Sequence, residues 1–97
     1  MSVIRLIHIK VAPSEVERAR EVWKTECAPL MIRQKGCTSE KLLHCREEPG
    51  EFISYSEWDS EEDIEAYRRS DAHKEIVAHS RRLEGASAAV KLYDLVV

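Results

Sequence analysis

Residues 50–83 read GEFISYSEWDSEEDIEAYRRSDAHKEIVAHSRRL, and the order of signals within them decides the fold. Glu51 to Trp58 mixes β-branched, aromatic and polar residues over a strand-length run. Ser60 followed by Glu61, Glu62 and Asp63 is an N-cap with acids in the first turn, where the helix dipole favours them. Ile64 and Tyr67 then fall at i, i+3 and point inward. Ser70 restarts a helix whose inner stripe is Ala72, Ile76, Ser80 and Leu83, flanked on opposite sides by His73 and His79, and Gly85 closes it. An indole at a strand end, a Tyr on the next helix and two imidazoles on the helix after it are expected to converge on one hollow.

Downstream, Ala88 to Val97 reads as a last strand carrying Val90, Leu92, Tyr93 and Leu95. Upstream, Glu47-Glu48-Pro49-Gly50 is a reversing turn, which makes Thr38 to Cys45 the hairpin partner of the central strand. Val3 to Val11 is the first strand. Between them, Ser14-Glu15-Val16-Glu17 reads as a capping box, and Val16, Ala19, Trp23, Cys27 and Leu30 recur at helical spacing. Pro29 cannot donate to the helical ladder, which predicts a kink near Glu26–Ala28, and Gly36 ends the helix. The order β-α-β-β-α-β predicts an α+β, ferredoxin-like antiparallel sheet with helices on one face, in a single domain over residues 1–97.

Apolar residues occur on both faces of the strands: Val3, Ile7, Ile9 and Val11 against Ile4 and Leu6, and Phe52 and Trp58 against Ile53 and Tyr55. A strand covered on one side only shows cleaner alternation. Helices cover one face, so a second copy packed sheet to sheet is the expected cover for the other, giving a homodimer.

Composition narrows the function. The net charge of −3 argues against a nucleic-acid partner, and no run approaches the ~20 apolar residues of a membrane span. Arg5, His8 and Lys10 interrupt the apolar residues of MSVIRLIHIK, so no secretory leader is read and a cytoplasmic location is expected. Cys27, Cys37 and Cys45 lack CxxC spacing and read as free thiols. His8, His44, His73 and His79 include no i, i+4 pair, so no metal site is expected. Neither a glycine-rich phosphate loop nor a GxSxG elbow is present, and no cofactor is expected.

What remains is an apolar hollow with a few polar groups, the default site for a small molecule. Trp58, Tyr67, His73 and His79 are the candidate catalytic residues, with His8, Trp23, Phe52 and Ile76 as candidate substrate contacts. Each has a plainer role: Trp23 and Trp58 as core packing, Tyr67 as core with its hydroxyl at the rim, Arg68 and Arg69 as solvated helix charges. His79, flanked by apolar residues, is the preferred base, since burial can tune an imidazole to its task.

The stretch EFISYSEWDSEEDIEAYRRSDAHKEI, with the apolar first strand before Pro13 and Gly36-Cys37 after the first helix, resembles the antibiotic biosynthesis monooxygenase family. The resemblance implies a dimeric α+β barrel and, in the enzymatic members, oxygenation without metal or flavin. There a polycyclic phenol or quinol is deprotonated and its anion passes an electron to molecular oxygen. Trp58, Tyr67 and His73 occupy the positions where such groups would lie; His79 is added from the helical stripe alone. A haem-degrading branch uses a first-strand Asn, a second-helix Trp and an axial His. Here the first strand has no Asn, and Tyr67 and Val77 stand in the other two places, so haem degradation is not expected. The reading is a cofactor-independent monooxygenase of a small aromatic or quinol. The alternatives are a non-catalytic binding or stress-related module and an isomerase-like activity.

Overall fold

The computed structural model describes residues 2–97. Strands β1 (Val3–Lys10), β2 (Cys37–His44), β3 (Glu51–Trp58) and β4 (Ser87–Asp94) form one antiparallel sheet in the order β2-β3-β1-β4. Helices α1 (Val16–Val22), α2 (Ala28–Ile32), α3 (Glu61–Arg68) and α4 (Asp71–Arg81) complete the ferredoxin-like α+β arrangement.

The side-chain period of two sorts the sheet. On β3, Phe52, Ser54, Ser56 and Trp58 are all buried. Register sets Ile9, Ile7, Arg5 and Val3 of β1 opposite them in that order, on the same face. Here the core assembles from Ile9, Phe52 and Trp58 with Trp23, Cys27, Met31, Ile64, Tyr67 and Ile76 of the helices. The other face carries Leu6, Ile53 and Tyr55, half-buried, and Leu43 and Tyr93, which are 49% and 43% exposed. Ile4 on the same face is buried at 6% exposure, but in the single chain no helix covers that face and its other apolar side chains remain partly or largely exposed.

Both serine caps form. Ser60 Oγ accepts from the Asp63 amide at 3.2 Å, and Ser70 Oγ accepts from the His73 amide at 3.2 Å. Ser70 also donates its hydroxyl to the Tyr67 carbonyl at 2.5 Å, so one side chain ties the end of α3 to the start of α4. Gly36 takes φ +86°, and a β-carbon there would sit 2.2 Å from Asp63 Oδ2. Gly36→Ala is therefore expected to destabilise by more than ~1 kcal/mol, through both the left-handed backbone and the clash; an unchanged denaturation midpoint would contradict this.

Three local expectations need correction. No capping box forms at Ser14: a 3-10 turn, Pro13–Glu15, precedes α1, no side chain caps either helix start, and Glu15 instead pairs with Arg18 at 3.3 Å. Pro13 opens the turn with its fixed φ and draws Ser14 inside it. The disturbance expected near Glu26–Ala28 is present there but begins earlier and is a wide turn rather than a kink: a π-helical turn at Trp23–Cys27 in which the Ala28 amide reaches back to the Trp23 carbonyl. Pro29 has no N–H for the Thr25 carbonyl, and one wide turn absorbs the lost bond. The widened ladder advances the inner stripe, so Met31, not Leu30, is fully buried. Finally, β4 ends at Asp94, because that residue pairs with Val3 and the β1 ladder begins there.

Candidate functional site

Tyr67 is the hub. Its ring, 3% exposed, meets Trp58 at 5.2 Å between centroids and receives His73 edge-on at 5.1 Å, with the Arg5 guanidinium carbon 5.7 Å from its centroid. The convergence read from the sequence is thus present for Trp58, Tyr67 and His73. The Trp58 N–H is already engaged, donating to Ser56 Oγ at 2.9 Å, so the indole backs Tyr67 as a wall.

Beside this group, between the sheet and α4, lies a cleft of about 110 Å³ lined by Arg5, Trp23, Tyr67, His73, Ile76 and Ser80, with Ala88 and Val90 of β4 at its side. Of the candidate residues, Tyr67, His73, Trp23 and Ile76 line it. His79, half-buried with its Nε2 unpartnered among the described residues, is not among the lining residues. At 100° per residue, Ile76, Ser80, His73 and Val77 fall within about 100° of one helix arc that faces the cleft, and His79 lies outside that arc on the far side of Ile76. His8 lies across the sheet, one residue out of phase with Ile7 and Ile9. It borders a separate groove of about 370 Å³ with Leu43, Cys45 and Ile53. Phe52 also borders that groove, and its ring stacks on His44 at 4.3 Å. The groove is larger, but it brings together none of the aromatic and imidazole groups around Tyr67.

Two charged residues in this region were not singled out from the sequence. Arg5 is 3% exposed, and its Nε and Nη1 are buried with no hydrogen-bond partner among the described residues. Glu40 Oε1 accepts from Trp23 Nε1 at 3.2 Å and from Ser54 Oγ at 3.1 Å, while Oε2 is buried without a partner. The available signal was a charge at an inward position of a strand, where charges are rare unless paired.

Burial dominates the titration of the group. It pushes the Tyr67 phenol up to about 12 despite the opposing pull of Arg5, so the hydroxyl stays protonated and is able to donate. His73 is lowered from its usual range by burial and then by the Arg5 and Arg68 charges, leaving a neutral imidazole near pH 7. Burial also raises the Glu40 carboxyl to about 7, against its two donors and Arg5.

The Glu40 shift has a consequence for stability. A carboxyl whose folded pKa lies above its unfolded value holds its proton more tightly when folded, so its stabilising effect is complete in acid and is lost as pH rises through about 7. Wild type is expected to lose up to about 3 kcal/mol between about pH 4.5 and about pH 7.5 from this group. Glu40→Gln should flatten that part of the curve in denaturation at several pH values; an identical slope in both proteins would refute the assignment.

Among the described residues no three His, Cys, Asp or Glu side chains cluster as a metal would need. No helix is long and apolar enough to cross a membrane. Burial raises the Cys27 and Cys37 thiols to about 12 and about 11, which leaves both as thiols rather than thiolates at neutral pH.

A sheet roofed by helices, with an imidazole, a phenol and a buried guanidinium around a cleft, defines an α+β domain organised about one internal site. The chain belongs to the antibiotic biosynthesis monooxygenase family, whose model matches residues 2–79. No functionally curated protein sequence matches it. Solved structures share the fold at low identity. Rv0793 from Mycobacterium tuberculosis is 18% identical with a TM-score of 0.82, over 100% of this chain and 97% of that one. A conserved protein from Methanosarcina mazei is 22% identical with a TM-score of 0.81, over 96% and 92%. SnoaB, a cofactor-independent oxygenase from Streptomyces nogalater, is 17% identical with a TM-score of 0.80, over 99% and 94%.

Proposed function

We propose that the protein is a cofactor-independent monooxygenase that oxidises a small aromatic or quinol with molecular oxygen in the cleft beneath α4. The observation that carries this reading is the meeting of His73, a neutral imidazole at working pH, with the Tyr67 phenol and the Arg5 cation on one cleft. His73 accepts the phenolic proton, and Tyr67 and Arg5 favour the resulting anion. The electron-rich anion then passes an electron to oxygen. The family supports monooxygenase chemistry as a class, and the fold likeness to SnoaB, a cofactor-independent oxygenase, supports the cofactor-independent part of the reading.

Oxygen uptake with a panel of monocyclic hydroquinones tests the reading. Turnover with at least one is the expected result, and no uptake with any would sink it. The volume of about 110 Å³ favours a second reading, a binding module without chemistry, because even the ~150 Å³ cavity that holds benzene is larger. Binding without oxygen consumption would decide for that module, and product formed without oxygen would decide for an isomerase-like activity.

The working unit in this proposal is a homodimer with open sheet faces opposed. Leu6, Leu43, Ile53, Tyr55 and Tyr93 on the uncovered face support it, since a small domain gains from burying such a surface. Sedimentation at micromolar concentration should give a dimer, and Leu43→Asp should shift it toward monomer. A wild-type monomer would remove this part of the proposal.

A further inference from the structure

Arg5 is a cation in the wrong place for a purely structural residue. It sits at the centre of β1, on the face beneath the helices, at 3% exposure. Among the described residues no carboxylate lies within ion-pair distance of it, and its Nε and Nη1 have no acceptor. Glu40 and Arg5 both pair with Ser56 from opposite sides, which holds their backbones two strand spacings apart, about 10 Å. Tyr67 lies against the guanidinium and Glu40 attracts it from beyond ion-pair distance, but neither supplies an acceptor to Nε or Nη1. A buried guanidinium with two of its nitrogens lacking acceptors and no carboxylate in ion-pair reach carries an uncompensated desolvation cost, which an anion in the cleft would offset. Arg5 also lines the cleft, whose side along β4 is open at the exposed residues Ala88 and Val90.

We propose that Arg5 is the anion-binding residue of this cleft and that the natural ligand is a single-ring compound presenting an anionic oxygen to its guanidinium. At about 110 Å³ the cleft is smaller than the ~150 Å³ that encloses benzene, so it admits at most one ring, with the ring's far edge lying in the opening along β4. The oxyanion has two chemical sources, a fixed carboxylate or a phenol that ionises on binding. The proposal rests on the cleft being the ligand site, as the oxygenase reading does, but it concerns binding and not turnover.

Calorimetric titration separates the cases. The probes are benzoate and para-nitrophenolate, with benzamide and nitrobenzene as neutral counterparts, against wild type, Arg5→Met and Arg5→Lys. Wild type should bind at least one anion about tenfold or more tightly than its neutral counterpart, the scale of a charge-assisted hydrogen bond. Arg5→Met should erase that preference and Arg5→Lys should keep part of it. A response to benzoate alone assigns a fixed acid, and a response to the phenolate alone assigns an ionising phenol. Arg5→Met should melt no lower than wild type, because it removes an unpaired buried charge; Arg5→Gln carries the same binding expectation and serves if Arg5→Met does not fold. Equal affinity for charged and neutral probes, an anion preference that survives both neutral substitutions, or no binding of either anion would overturn the proposal. Anion binding that depends on Arg5 without any oxygen uptake would leave it standing while removing the oxygenase reading.

Discussion

His73→Ala is expected to lower oxygen-dependent turnover by about 10²–10⁴-fold, the usual range for removing a positioned general base. Among the titratable groups lining the cleft, His73 is the one whose free form at neutral pH accepts a proton: Tyr67 stays protonated and Arg5 stays charged. The backbone of His73 carries the Ser70 cap, and alanine leaves that bond intact, so the loss should appear in kcat with little change in stability. The pH dependence follows in sign. Burial and the neighbouring Arg5 and Arg68 charges hold the imidazole below its usual value of 6.5, and the base must be neutral. Activity should therefore rise through a point below 6.5 and level off by neutrality, and His73→Ala should abolish that limb. If His79→Ala removed turnover and His73→Ala did not, the base would be the imidazole outside the cleft, and the assignment would fail.

Trp58→Ala should cost about 3–5 kcal/mol of folding free energy, the range for removing a buried Trp or Phe. The indole is 0% exposed, closes the end of β3 against Tyr67, and supplies the hydrogen bond to Ser56 Oγ. Truncation would leave a cavity behind Tyr67 and a buried hydroxyl without its donor. Against the total of about 5–15 kcal/mol typical of a domain, that loss leaves little margin. Trp58→Phe fills part of the space and loses the N–H, so it should cost less. Urea denaturation gives both values, and a loss below ~1 kcal/mol for Trp58→Ala would show that the indole is not the wall described. Because Tyr67 leans on Trp58, the same variant should also weaken ligand binding in whatever fraction stays folded.

The element order, both serine caps, the glycine stop at Gly36 and the inward placement of Ile64, Tyr67 and Ile76 were legible because they depend on neighbours within four residues. The Ser14 cap misled, since a Ser with Glu three positions on fits a capping box and equally fits a 3-10 turn opened by Pro13. Pro29 announced a disturbance without saying which turn would absorb it. His79 stood out for its apolar neighbours, yet about 100° of rotation per residue separates flanking a stripe from facing a cleft.

Local periodicity was enough to establish the ferredoxin-like chain path, the two faces of each strand and the gathering of Trp58, Tyr67 and His73. Arg5 and Glu40, thirty-five positions apart, acquired their meaning only when strand register set both against Ser56 and helices closed over them. A period of two says which face a side chain takes. Which distant residues share that face, and whether a charge on it finds a partner, depends on how the strands slide against one another, and that is settled by packing across the whole domain.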